Sequence, residues 1–219
     1  MLINRIISDF AYIRVMIAVI SGDIINSEGA SSAVLMKTLK DFFKGFGKSP
    51  ADWEIYRGDQ FQLALKDAEA AFVASIHLKS VVKKLDNVDV RIAIGLGEKS
   101  YHARRITEAN GSAFVHSGRK LDALKAQNVN LAIQSDFPEF DAEMNLFFKF
   151  ASTFMDEWSA VSCEIVSTLL EHSERTQVEI AEILNINQSA VSQRRKRANF
   201  DLLMELNQHY IHRVKQLPA

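Results

Sequence analysis

The chain holds one cysteine, Cys163, among 219 residues. A lone thiol cannot close an internal disulfide or complete a CxxC metal site, so the disulfide-scaffold and zinc-ribbon classes are excluded and a reducing compartment fits. Long apolar runs are missing too. The most hydrophobic early stretch, residues 15–20, falls far short of the roughly 20 residues a membrane-spanning helix requires, and it reads as a buried strand. Residues 1–14 carry Asp9 and an arginine near each end of their apolar part, with no small-residue cleavage site, which makes a poor secretory leader. Met16 sits where ordered patterning begins, and one reading of residues 1–15 is a translated upstream extension. An excess of either charge is also absent: 26 Lys and Arg face 27 Asp and Glu, so any bias toward nucleic acid must be local. With 47% hydrophobic and 24% charged residues, only three prolines, no Gly/Ser-rich linker and no internal repeat, the expectation is a cytoplasmic globular protein with no membrane partner.

The balanced total conceals an uneven distribution. Residues 1–136 carry a net charge of +3, residues 137–171 a net of −6 with only Lys149 against seven acids, and residues 172–219 a net of +2. These shifts divide the chain into an N-terminal domain (1–136), an acidic helical connector (137–171) and a C-terminal module (172–219).

The first section alternates in period. Residues 15–20 form a short apolar run ending in Ser21-Gly22-Asp23, and residues 34–46 show helical spacing with a glycine stop at Gly47. Residues 53–56 and 61–65 flank Arg57-Gly58-Asp59-Gln60, which predicts a hairpin presenting Asp59 at its tip. Asp67 caps a long helix, residues 89–97 read as a strand, 111–127 as a helix and 129–133 as a strand. The order β-α-β-β-α-β-α-β predicts an α+β fold of ferredoxin-like or palm type, followed by an all-α module. From Glu139 onward the pattern is helical, with Phe140, Met144, Phe147, Phe148, Ala151, Phe154, Met155 and Trp158 as a packing stripe expected to meet Val161, Ile165, Val166, Leu169 and Leu170.

Residues 176–184, then Asn185-Ile186-Asn187, then residues 188–197 read as a helix-turn-helix. Ile180, Ile183 and Leu184 are the expected buried face of its first helix, Ala181 allows close approach, Ile186 plugs the turn and Val191 anchors the second helix. Asn185 stands where glycine is common, because asparagine tolerates left-handed backbone angles. The second helix then presents Gln188, Ser189, Ser192 and Gln193 for base edges, and Arg194, Arg195, Lys196 and Arg197 for phosphates. Double-stranded DNA is the expected partner, read by a homodimer, since one such unit contacts only a few base pairs. A solvated basic face or a protein-docking module is the competing reading. Arg195 falls where an apolar residue would pack and would have to snorkel.

Two carboxylates, Asp23 at a strand end and Asp59 at a hairpin tip, suit a divalent ion such as Mg²⁺ holding a polyphosphate, with the glycine before each letting a ligand approach. Together with residues 90–97 this series resembles the catalytic domain of class III nucleotide cyclases. Closer still, residues 18–27, 57–62, 91–97 and 108–114 match in order and spacing the SatD family of bacterial proteins, a resemblance running from about Met16 to the end. It implies a small cytoplasmic protein with a C-terminal DNA-binding module and no firmly assigned reaction. The cyclase resemblance implies an Asn and, four residues later, an Arg after the glycine turn. Here those positions hold His116 and Lys120, and Ile55 stands at the position of the base-selecting Lys. Arg57, Arg104, Arg105, His116 and Lys120 are the candidate cations for a nucleotide effector. Three readings stay open for this domain: a relic with capped carboxylates, a nucleotide sensor, or a Mg-dependent nucleotidyl cyclase or other nucleotide-handling enzyme using Asp23 and Asp59.

Overall fold

A computed structural model of the protein describes residues 16–27, 31–85, 87–101, 103–127 and 129–218. The upstream-extension reading of residues 1–15 lies outside the described residues. The chain runs β1 (Ile17–Ile25), α1 (Ser32–Lys44), β2 (Trp53–Tyr56), β3 (Gln60–Leu65), α2 (Ala71–Lys83), β4 (Asp89–Gly97), α3 (Ser112–Gln127), β5 (Leu131–Gln134), the alternation the sequence predicts. The strands order as β2-β3-β1-β4-β5, with β5 parallel to β4 and every other pair antiparallel. Hence β1 and β4, the two longest strands, take the centre, where neighbours on both sides satisfy their backbone groups.

The pleat of β1 sends its residues to two unlike faces. Ala18, Ile20 and Ile24 enter the main core with Leu39, Phe43, Phe72 and Ile76 of α1 and α2. Val19 joins a small cluster with Ile106, Ala113 and Phe114, and Ser21 donates its hydroxyl to Ser117 Oγ of α3 at 2.9 Å. α3 lies close: a Cβ on Gly95 would stand 2.2 Å from the Ala113 carbonyl oxygen, so only glycine admits that approach.

Five helices follow: α4 (Pro138–Met155), α5 (Ala160–Glu171), α6 (Gln177–Ile183), α7 (Gln188–Arg197) and α8 (Phe200–Lys215). Among the described residues no helix is long and apolar enough to cross a membrane. Phe140, Met144, Phe148, Ala151 and Met155 of α4 are buried, spaced three and four apart. The Phe72 and Phe148 rings stack at 4.5 Å, and the Tyr210 hydroxyl of α8 donates to the Ala68 carbonyl at 2.8 Å. One continuous cluster of buried side chains thus runs from the sheet through α2 to α8. The expected stripe was too wide in places: Phe147 is exposed and Phe154 is half-buried, because the apolar arc of α4 exceeds the surface its neighbours cover, and Val161 in the first turn of α5 is exposed as well.

Several acids of residues 137–171 meet basic side chains from both sides. Glu171 meets His77, Asp156 meets Lys79, Glu164 meets Arg194, and Glu143 meets both His209 and Arg213. Burial raises the Glu143 carboxyl, but those two partners outweigh it and hold it below its ordinary value. Lys79 is only 2% exposed and lies 2.7 Å from Asp89 and 2.7 Å from Asp156, the second a charge contact without hydrogen-bond alignment. A buried ammonium requires such company, since leaving water unpaired would cost several kcal/mol, of order that found for single buried ions.

Candidate functional site

Local sequence builds the α6–α7 pair. Thr176 accepts from the Glu179 amide while Glu179 accepts from the Thr176 amide at 2.8 Å, a reciprocal cap at the start of α6. That amide, with Arg175 and the Thr176 hydroxyl, lowers the Glu179 carboxyl to about 2. Asn185 takes the left-handed conformation at φ 51°, as its residue type suggests, and the Ile186 amide closes the turn on the Ala181 carbonyl. Asn187 then caps α7, accepting from the Ala190 amide at 2.8 Å. Ile180, Ala181 and Val191 are buried between the helices. Ile183 is about half exposed: a helix this short buries the arc through 180, 181 and 184, and 183 falls outside it.

The side chains expected to face DNA divide into tied and untied groups. Gln188 donates to Gln177 at 2.7 Å and Ser189 donates to Asn187 at 2.7 Å, while Ser192 and Gln193 are exposed. Arg194 pairs with Glu164 at 3.0 Å. Arg195 does snorkel: its guanidinium lies 5.5 Å from the Phe200 ring centroid and its Nε donates to Asp201 at 2.8 Å. Lys196 and Arg197 are exposed in the last turn, where cations complement the helix dipole.

In the sheet, Asp23 stands opposite Gln60 on β3, and the Ile24 amide donates to the Asp59 carbonyl at 3.1 Å, so the two aspartates are backbone neighbours one register position apart. Both oxygens of Asp23 accept from Arg91 Nη1, at 3.0 and 3.2 Å, and Lys125 of α3 lies 3.7 Å away. These internal cations supply the positive charge that Mg²⁺ would bring. Among the described residues no group of three or more His, Cys, Asp or Glu gathers in metal-holding geometry. The glycine before each aspartate has another explanation than ligand approach. A Cβ on Gly22 would meet the Phe61 ring at 2.3 Å and the Arg91 carbonyl at 2.5 Å, and Gly58 follows Arg57 in a turn with φ of 85° and 52°.

The candidate nucleotide cations are not brought together. Arg57 is exposed in the hairpin turn, Arg104 is exposed, and Arg105 pairs with Glu54 of β2. His116 is buried under β4 with Nδ1 2.7 Å from the Leu96 carbonyl. A carbonyl only accepts, so Nδ1 carries the proton, and Nε2 faces Asp136 at 3.3 Å. Lys120 lies near Asp141. Leu96 pairs with Ala18, five register positions from Asp23, which sets His116 about 17 Å along the strands from the aspartate at ~3.3 Å per residue.

What the sequence reading missed lies at the Asp23 end of the sheet. A cavity of about 480 Å³ opens there between the end of β1, the start of β4 and the α4–α5 joint, with Asn26, Lys83, Asp89, Arg91, Asn130 and Trp158 in its wall. Trp158 Nε1 donates to the Ala198 carbonyl at the end of α7, 3.1 Å away. The legible signal was charge in apolar periodicity: Lys79 interrupts the buried face of α2, and Arg91 sits within a strand opposite Asp23. No curated protein matches the chain. The sheet with its paired Asp23, the acidic helices and the α6–α7 turn all fall within residues 12–211, the span matched by the SatD family model, and the chain belongs to the SatD family.

Proposed function

We propose that the protein is a cytoplasmic DNA-binding transcription regulator, working as a homodimer, in which α7 reads the major groove and the sheet domain senses a small effector. One observation carries this reading: along α7, Ser192, Gln193, Lys196 and Arg197 are exposed on a helix with no acid, whereas Lys79, Lys83 and Arg91 of the sheet domain are paired with carboxylates. Polar side chains near the start of such a helix suit base edges, and cations near its end suit phosphates. The separation of His116 and Lys120 from Asp23, and the neutralisation of Asp23 by Arg91, favour this reading over a Mg-dependent cyclase, which needs charge stabilisation beside the reacting phosphate.

The test is a salt titration of affinity for a short duplex. Log affinity should fall linearly with log salt, and replacing Lys196 and Arg197 by Gln should flatten the slope by about 0.9 for each phosphate contact removed. Absence of binding at low salt, or an unchanged slope, would overturn the reading.

For the dimer, the support is an apolar strip on α4 and α8. Leu146, Phe150 and Leu202 are each more than half exposed, beside a groove of about 290 Å³ walled by Phe147, Phe154 and Leu206. A second copy would bury the same strip on both chains, as a two-fold interface requires. Sedimentation should show a dimer at micromolar concentration, and Phe150→Glu should shift it to monomer. A monomer in the parent protein, with and without DNA, refutes the pairing.

A further inference from the structure

We infer that the cavity at the Asp23 end of the sheet binds a small phosphate-bearing ligand and that its occupancy is transmitted to α7 through Trp158. The transmission rests on the DNA-reading proposal above; the binding site does not.

At about 480 Å³ the cavity lies within the range of small-molecule sites. Its polar wall is rich in donors: the Lys83 ammonium, the Arg91 guanidinium and the amides of Asn26, Asn87 and Asn130, against a single carboxylate, Asp89. Lys83 donates one bond to Asp89 at 3.1 Å and keeps further N–H donors. Arg91 uses only Nη1 of its five-donor guanidinium on Asp23, so its donor capacity is not exhausted, although its Nε is buried away from the cavity. Each cation is already ion-paired, Lys83 with Asp89 and Arg91 with Asp23, so an anion would be held by their remaining N–H donors rather than by net charge, and phosphate suits a guanidinium and an ammonium together. The cations that the sequence nominates for a nucleotide, Arg57, Arg104, Arg105, His116 and Lys120, do not line this wall.

The same wall reaches the DNA-facing helices. The Trp158 indole contacts the cavity on one side and donates to the Ala198 carbonyl, the cap of α7, on the other. Ala160, also in the wall, begins α5, whose Glu164 holds Arg194 of α7. A ligand that prefers one position of the indole therefore biases the end of α7, and by linkage DNA biases ligand affinity by the same factor.

The protein has two tryptophans, and Trp53→Phe leaves Trp158 as the sole indole reporter. This protein is titrated in EDTA with inorganic phosphate, pyrophosphate, AMP and ATP. The expected result is a saturable change in Trp158 emission with at least one probe, weakened about tenfold by Lys83→Gln and unchanged by Arg105→Gln. Thermal melting confirms that the variant is folded, and Asn130→Ala carries the same expectation should Lys83→Gln not fold. Response to phosphate or pyrophosphate identifies a bare anion site, and response to AMP or ATP alone identifies a nucleotide site. Silence of all four probes at millimolar concentration, or binding indifferent to both cavity variants, overturns the site. A duplex affinity unchanged by saturating ligand overturns the transmission. Failure to bind any duplex refutes the regulator reading, while the titration of the protein alone still decides the site.

Discussion

Lys79 and Lys196 carry the same charge in opposite circumstances. Lys79 lies in the interior between Asp89 and Asp156, each 2.7 Å from its ammonium, whereas Lys196 stands in solvent on α7. A cation withdrawn from water must be met by fixed charge, and here the charge comes from two separate elements, so Lys79 fastens α2 to β4 and to the end of α4. A cation left in solvent fastens nothing and is available to a partner. Lys79 is spent on holding the sheet domain together, while Lys196 and Arg197 are held in reserve on α7.

The sharpest way to break that contrast is to remove each ammonium in turn. Lys79→Met leaves Asp156 without its cation and Asp89 with Lys83 alone, and should lower unfolding free energy by about 3 kcal/mol in urea titration. Lys196→Met should change it by less than about 0.5 kcal/mol, as exposed substitutions do. Equal effects would dissolve the distinction. Next in size is Trp158→Phe, which keeps most of the ring but leaves the Ala198 carbonyl without its donor. A loss of about 1 to 2 kcal/mol is expected, with faster amide exchange concentrated at the end of α7.

How much of this was legible follows from the range over which each feature is determined. Strand and helix alternation is written in local periodicity, so β1 through β5 are readable, as is the left-handed Asn185. Pairing across the sheet is not local. That Asp23 would meet Arg91, and that Leu96 would carry His116 to the other end of β1, depends on strand register, which no short motif states. The scatter of the five nominated cations has the same origin: Arg105 finds Glu54 and Lys120 approaches Asp141, partners distant in sequence. The cavity escaped notice because its wall is assembled from five separate segments.

The smallest effect concerns Glu179, an exposed charge that fixes local geometry. Its folded carboxyl is lowered from 4.5 to about 2 by the Thr176 amide, with Arg175 and the Thr176 hydroxyl adding to it. The unfolded chain therefore binds the proton more readily than the folded one between those values, so the stabilisation is fully present above about pH 4.5 and fades as pH falls toward 2. Because the group lies in solvent, the loss should appear as fraying of the first turn of α6 rather than as global unfolding. An NMR titration of the Thr176 amide should show a midpoint near 2, and Glu179→Gln should abolish that titration while keeping the amide protected, since glutamine can close the same reciprocal cap. A midpoint at the ordinary 4.5 would mean that the Thr176–Glu179 cap stands open in solution.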